Sequence, residues 1–471
     1  MEVKQAIILF TKVPCVGYVK TRLVKDGFTT EEAYQLYTHL LRDTAAAIHG
    51  ALTKKSLSIY ICYYPAEAHL AQLKTLHFIY SNSMFIEQRG LDVTERVRNA
   101  FVSVFEEGND AAILIPGDHD DLDSIILCEA LNYLTDAVKL KKPQLVVGPT
   151  HDGGAYLLGL NRYTTLQCIN NLQDTHRVCF HIISYAKSHS IPYKILDVRM
   201  DVDDLDDVLR VATRKKKLNT YTENYLKNFL KSKKLAPVNR CSLSIIVPTL
   251  NEEQWVRRAL ASIRRQNVDS EVIVVDGGSV DNTLQLVADL ADKVVILGKA
   301  SRKTQENMGA YAARGEILLF LHADMFLPQG SLTKVIDAFK DKSVAAGSLD
   351  AFFDLYKTKY TFIRCVRQIM TRLFNIHGVG AAFCIRRNIF YQLGGFDENF
   401  MEEAVALSKK IRRIGKLIKI DAPVIVSARR FEKKGYIRTT IMWALTVFLT
   451  LIGCRSTWLE KKFWKGLNKK A

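Results

Sequence analysis

The chain has 471 residues, 48% of them hydrophobic and 24% charged, with no low-complexity tract; that excludes a disordered protein and argues for two or three folded domains. A formal net charge of +17 suits an anionic partner, whether nucleic acid, a phosphorylated small molecule or an acidic membrane surface. Nine cysteines stand singly, with no CxxC or CxxxH pair, which argues against a zinc site or disulfide framework and for a reducing compartment. The opening MEVKQAIILFTKVP is too short in its apolar run for a signal-peptide core, so a cytoplasmic protein is expected. No stretch reaches the roughly 18 apolar residues of a spanning helix.

In the first half, AIILF (from Ala6), LSIYICYY, AAILIPGD, QLVVGPT and YKILDV read as strands, alternating with helix-period segments such as Thr30–Leu41. Strands separated by helices predict parallel sheets with βαβ crossovers. After the first strand, FTKVPCVGYVKTRL sets Lys12, Lys20, Thr21 and Arg22 around Gly17, a cation-bearing bend suited to phosphate. PGDHDDLD puts Asp118, Asp120 and Asp121 at a strand end, THDGGAY adds Asp152, and Asp201 and Asp203 lie near the last strand. Clustered acids suit a divalent cation bound between protein and nucleotide, although acid-rich turns are commonly just turns.

These strings, with RGLDVTERVRNAF, VVGPTHDGGAYLLGL and DVRMDVDDLDDV, resemble the glycosyltransferase-like domain related to phospholactate guanylyltransferases and molybdenum-cofactor nucleotidyltransferases. The resemblance covers nearly all of Ala6 to Val208. It implies a nucleotide site at Lys12, Lys20, Arg22, Asp118 and Asp152, with Asp118 as the metal ligand. PGDHDDLD departs from the GSDCPDL-like string of those relatives.

RKKKLNTYTENYLKNFLKSKKLAPVNR, Arg214 to Arg240, reads as a last helix and a basic linker, with the domain boundary near Leu235. The domains expected are 1–213, the linker 214–240, 241–438 and a tail 439–471. The second half repeats the alternation. LSIIVPT, SEVIVVDGG, DKVVILG and GEILLFLHAD are its strands, with helices at Glu253–Gln266, Asn282–Ala291 and Thr304–Ala313. The fold class expected is therefore α/β, two tandem nucleotide-binding domains with mostly parallel sheets, followed by an apolar helical tail.

Three strand ends of the second half carry polar groups. VPTLNEE supplies Pro248 and Glu252, VVDGGSVDNT supplies Asp276 before a Gly-Gly turn, and LLFLHADMFLP sets Asp324 directly behind an apolar run. A carboxylate at the mouth of a core strand is costly to desolvate, but open α/β sheets bind ligands at that edge. In this order and spacing the motifs resemble a family-2 glycosyltransferase of the GT-A fold. The subgroup sharing the HAD string and a SARRWE-like segment, here SARRFEKKG, is sometimes labelled for arsenosugar biosynthesis.

The resemblance implies that Asp276 receives the uracil or ribose end of a nucleotide-sugar. It implies that Asp324 holds Mn²⁺ or Mg²⁺ against the diphosphate. In SRKTQENMGA, Arg302 and Lys303 can neutralise phosphate while Gln305 and Asn307 can bond sugar hydroxyls, and Arg429 and Arg430 can grip the diphosphate. GGFDENFMEE offers Glu403 as general base, with Glu402 as alternative. Acids in a first helical turn are also favoured by the helix dipole alone.

NIHGVGAAFCIRR lacks the GDQ-like acid and amide of the subgroup. From Thr439 the tail sets an apolar run, Ile441 to Ile452, before Trp458, Phe463 and Trp464 interleaved with lysines. That pattern suits attachment to an anionic membrane surface, with an acceptor carried on lipid. The reading is thus sugar transfer from a nucleotide-sugar to a hydroxylated acceptor with inversion. One alternative is nucleotidyl transfer by the first half to make an activated donor; the other is a basic nucleic-acid scaffold, for which no recognisable module is present.

Overall fold

The computed structural model describes residues 3–65, 83–213, 220–233, 241–355, 358–374, 377, 381–397 and 403–451. The chain divides into two compact units, Met1–Val238 together with Val295–Gly298, and Asn239–Val294 together with Lys299–Ala471. Each is α/β, built on one mixed sheet.

The first unit holds β1 (Gln5–Lys12), β2 (Ser58–Tyr64), β3 (Met84–Glu87), β4 (Ala111–Pro116), β5 (Leu145–Pro149), β6 (Ala155–Asn161) and β7 (Tyr193–Ile195). Their order across the sheet is β3-β2-β1-β4-β6-β5-β7. Ile7, Leu9, Ile113 and Ile115 are fully buried, as strands covered on both faces must be, which is why they read as unbroken apolar runs. The helix Thr30–Leu52 begins with a reciprocal cap between Thr29 and Glu32 and runs eleven residues past the predicted segment.

β3 and β6 were not predicted. β3 is a four-residue strand with two exposed residues, so it carries little apolar signal. β6 follows the Asp152 turn and runs antiparallel between β4 and β5. The strand β1 is flanked by β2 on one side and β4 on the other, both parallel to it. Their C-terminal ends therefore open on a crevice at a reversal of strand order, where such sheets take ligands.

The second unit holds β8 (Cys241–Thr249), β9 (Ser270–Asp276), β10 (Lys293–Ile296), β11 (Gly315–Phe320), β12 (Met325–Phe326), β13 (Val344–Phe353), β14 (Phe383–Arg386) and β15 (Lys416–Val426). Their order is β10-β9-β8-β11-β14-β13-β15-β12. β8 is parallel to both β9 and β11, and in register Thr249 meets Asp276 while Ile246 meets Phe320. The three predicted helices appear at Val256–Arg264, Thr283–Val287 and Arg302–Ala312, the first two shortened and the third begun two residues earlier. Gly309 lets the last lie close on the sheet, since a Cβ there would run into Ile246.

Beyond β11 the sheet turns antiparallel through β14 and returns to parallel pairing between β13 and β15. The chain ends, among the described residues, in the helix Tyr436–Leu451. Among those residues no helix is long and apolar enough to cross a membrane. The interleaved Trp and Lys residues that follow lie outside the described residues. An aromatic group of Phe353, Tyr360, Phe431 and Tyr436 joins this last helix to the helix Thr358–Phe374.

Candidate functional site

In the second unit the loops after β8, β11 and β15 bring three predicted residues together. Arg429 donates from Nε to Asp324 Oδ2 at 3.0 Å and from its Nη2 to Glu252 Oε1 at 2.6 Å. Its guanidinium also lies 5.5 Å from the Trp255 ring, a residue that sequence reasoning passed over. Glu252 Oε2 is buried without a hydrogen-bond partner. Burial pushes the Glu252 carboxyl above its ordinary range, against the pull of Arg429.

His322, of the HAD string, is held far below the ordinary imidazole range, first by burial and then by Arg302, Arg430 and Arg429. Its ring is therefore neutral, and three arginines lie close enough to act on its charge. Arg302 Nε is 3.7 Å from the buried Glu306, which His322 also approaches at 3.8 Å. Cations able to meet a diphosphate thus surround two carboxylates at the edge of the sheet.

Other predicted contact residues build the site instead of facing it. Asp276 is fully buried. Its Oδ1 accepts from the Gly278 and Ser279 amides at 3.0 and 2.8 Å, and its Oδ2 accepts from Thr249 Oγ1 at 3.1 Å and from Ser279 Oγ. All its lone pairs are spent on its turn and on Thr249 of β8, so it presents no free carboxylate to uracil or ribose. Gln305 Nε2 donates to the Thr249 and Val275 carbonyls at 2.6 and 2.8 Å, joining β8 to β9. Asn307 exchanges two hydrogen bonds, each 2.9 Å, with the Phe396 backbone and so fixes the Gly-Gly-Phe segment. Both amides thus spend hydrogen bonds on the protein's own backbone. Pro248 lies within β8, opposite Val275.

Asn251, at φ 54, accepts from the Val280 amide at 2.9 Å while its own amide donates to Ser279 Oγ at 2.9 Å. This clamp between the first two strand ends was not predicted; the Asn in LNEE is its one sequence signal. Glu403 is the first residue of the helix Glu403–Ile411. Glu402, Gly378 and Gly380 fall outside the described residues.

In the first unit, Lys20 and Arg22 of the cation-bearing bend meet Asp118 and Asp203. Lys20 Nζ lies 2.8 Å from Asp118 Oδ2 and 2.9 Å from Asp203 Oδ1, while Arg22 reaches Asp203 Oδ2 at 2.9 Å. One oxygen of the carboxylate expected to hold a metal is thus taken by an ammonium. Asp152 accepts from Thr150 Oγ1 at 2.6 Å and the Gly154 amide at 3.1 Å, so it builds its turn. Burial opposes its ionisation, but His176 and His151 hold the carboxyl well below the usual range. Lys12 ends β1 and its side chain is exposed on the crevice wall.

His151, Asp201 and Asp207 lie close enough to share an ion. His151 Nδ1 faces Asp201 at 3.2 Å and Nε2 faces Asp207 at 3.3 Å, so the ring stands between the two acids. Arg210 enters the same group, 3.1 Å from Asp207 and 3.2 Å from His151 Nε2. The arrangement reads as an ion network in which a guanidinium supplies the positive charge.

Residues 244–394 match the family model of glycosyl transferase family 2, and residues 47–174 match that of an uncharacterized protein conserved in bacteria, DUF2064. An uncharacterized glycosyltransferase of a Nostoc species is 28% identical over 22% of this chain and 34% of its own. An uncharacterized glycosyltransferase of Mycoplasma genitalium is 25% identical over 42% of this chain and 71% of its own. The chain thus spans about a third of the first relative's length and more than two thirds of the second's. A crystal structure from Desulfovibrio desulfuricans, described as a nucleotide-diphospho-sugar transferase, is 25% identical and covers 49% of this chain and 96% of its own, with a TM-score of 0.42.

Proposed function

From the glycosyl transferase family 2 domain of its second half, we propose that the protein moves a sugar from a nucleotide-sugar to a hydroxylated acceptor, with inversion at the anomeric carbon. The observation that carries this reading is Arg429 held between Asp324 and Glu252 at the ends of β11 and β8. A planar guanidinium is suited to two diphosphate oxygens at once, and Arg302 and Arg430 add charge beside it. Together they orient the donor and stabilise the nucleotide diphosphate as it leaves.

The two carboxylates also fit a divalent cation. Glu252 Oε2 is a buried oxygen with no donor, and Asp324 offers a second hard oxygen beside it. Asp324 and Glu252 would hold Mn²⁺ or Mg²⁺, which when bound neutralises charge on the diphosphate. Inversion needs a single displacement: the acceptor oxygen forms its bond to the anomeric carbon on the face opposite the departing diphosphate. Glu403 is the group assigned to take the acceptor's proton, with Glu402 as the alternative.

The acceptor is assigned to a lipid carrier on the cytoplasmic face of a membrane. Support comes from the last described helix, where Ile437, Ile441 and Phe448 are exposed while Thr446, Val447 and Thr450 are buried. An apolar stripe turned outward beside a lysine-rich tail suits a bilayer interface. The test is incubation of the full chain with Mn²⁺ and a panel of nucleotide-sugars. Donor hydrolysis or transfer giving the opposite anomer is expected; a protein that neither binds nor turns over any of them overturns the reading.

A further inference from the structure

In the first unit the place between the strand-end acids is already filled. Lys20 stands at φ 47, three residues after Gly17 at φ 85, so the loop bends sharply and delivers its ammonium to Asp118 and Asp203. The side chain is 5% exposed. Burial alone would lower its pKa, but the charges on Asp118 and Asp203 outweigh that and raise it, so the ammonium is a fixed charge. The contrast with Arg429, 29% exposed and leaving a Glu252 oxygen unpaired, is what separates the two halves.

Two cavities adjoin this group. The larger, about 520 Å³, is lined by Lys12, Lys20, Arg22 and Arg96 against Asp118 and Asp203, four cations to two acids. The smaller, about 250 Å³, shares Arg22, Asp118 and Asp203 and adds Asp152 and Asp201, so acids prevail there. One compartment suits a phosphate and the other suits hydroxyl groups that donate to carboxylates. An ammonium has three N–H donors; two of Lys20's are spent on Asp118 and Asp203, which leaves one for a phosphate oxygen.

We propose that the first half binds a phosphate ester of a polyol, a sugar phosphate or a nucleoside phosphate, without a divalent cation, the Lys20 ammonium standing where an ion would otherwise bridge ligand and protein. A second cation brought between Asp118 and Asp203 would meet that ammonium at close range in a poorly solvated place, and like charges there repel. The proposal concerns the half that sugar transfer does not use, and it stands or falls separately.

Counting Mn²⁺ bound to the full chain by electron paramagnetic resonance tests the first part. Wild type and Asp118→Asn are expected to bind the same number of ions. Lys20→Met is expected to gain one, which Asp118→Asn then removes. An Mn²⁺ in the wild type that disappears with Asp118→Asn overturns the proposal, and this comparison decides even where Lys20→Met fails to fold. The second part uses inorganic pyrophosphate and, separately, glucose 1-phosphate and uridine monophosphate, titrated calorimetrically in EDTA on an Arg429→Met background to silence the other half. Binding is expected for pyrophosphate and for at least one of the two esters, weakened by about tenfold or more on Lys20→Met, because two carboxylates are then left uncompensated. Binding that appears only when Mn²⁺ replaces EDTA, or none by any of the three, overturns it.

Discussion

Arg429 Nε lies 3.0 Å from Asp324 Oδ2, tying the loop after β15 to the acid behind β11. The pair is part-buried, and its carboxylate stands at the end of a strand, outside the packed core. Asp324→Asn should therefore unfold much like the wild type, since a partly exposed ion pair contributes about 1 kcal/mol or less. Its metal-dependent turnover should fall by about 100-fold or more, several kcal/mol of transition-state charge stabilisation being lost. Initial rates at limiting Mn²⁺ measure this; wild-type turnover there would remove Asp324 from the metal.

Asp276 makes the opposite prediction. Its four accepted hydrogen bonds come from its own turn and from Thr249 at the end of β8, around a fully buried side chain. Asp276→Asn would turn an amide N–H₂ toward groups that themselves donate, at a cost of about 2 to 4 kcal/mol. Urea unfolding should show the transition of the second half moved to lower denaturant. A variant as stable as wild type that has lost nucleotide-sugar affinity would restore Asp276 as a donor-reading residue.

The sheets were legible because buried parallel strands are written as apolar runs: β1, β4, β8, β9 and β11 all announce themselves in this way. The same signal located Asp324 and Glu252, since a polar group directly after such a run stands at the ligand-binding edge. What sequence could not show is how each polar group spends its hydrogen bonds. Asp276, Gln305 and Asn307 have the chemistry to hold a ligand, yet backbone groups and the Thr249 and Ser279 hydroxyls of the fold itself use it first. Asp203, remote in sequence from Lys20, became a partner only through the fold. β12 to β15 escaped notice because mixed pairing and short strands blur the alternation of strand and helix.

His377 sets a pH dependence on stability. It is 2% exposed, with Nδ1 2.9 Å from Ser348 Oγ. Burial, aided by Arg412, lowers its pKa to about 4. The unfolded chain takes up a proton near the ordinary value of about 6.5 that the native fold excludes. Stability is therefore complete above about pH 6.5 and falls as pH drops toward about 4, by up to about 3 kcal/mol. Urea midpoints at pH 7 and pH 4.5 should differ less in His377→Gln than in wild type; equal differences would show that other groups carry the effect.

Glu403→Gln keeps the shape of the helix start and removes the proton acceptor. Donor affinity, read by calorimetry with a nucleotide-sugar, should be unchanged. Transfer should drop by about 100- to 10,000-fold, the range for losing a general base. Glu402→Gln should be far milder. An active Glu403→Gln beside an inactive Glu402→Gln would pass the role to Glu402.

The last helix decides whether the acceptor is carried on lipid. Ile437, Ile441 and Phe448 recur at one face of Tyr436–Leu451 and are 72%, 61% and 58% exposed. The opposite face buries Thr446 and Thr450, and Thr450 Oγ1 donates to the Thr446 carbonyl at 2.9 Å, which satisfies a hydroxyl that would otherwise be stranded. A helix that buries Thr446 and Thr450 beside Val447 while exposing two isoleucines and a phenylalanine leaves an apolar stripe turned outward. The tail that follows bears Arg455, Lys461, Lys462, Lys465, Lys469 and Lys470 against the single acid Glu460. Each such cation near an anionic bilayer adds about 1 kcal/mol of attraction, screened by salt. The full chain should therefore float with vesicles containing phosphatidylserine, less so at high salt, and little with neutral vesicles. Ile441→Glu with Phe448→Glu should weaken flotation while leaving the circular dichroism unchanged, and truncation before Thr439 should abolish it. A full chain that stays at the bottom with anionic vesicles at low salt would rule out membrane attachment, and the lipid-carried acceptor with it.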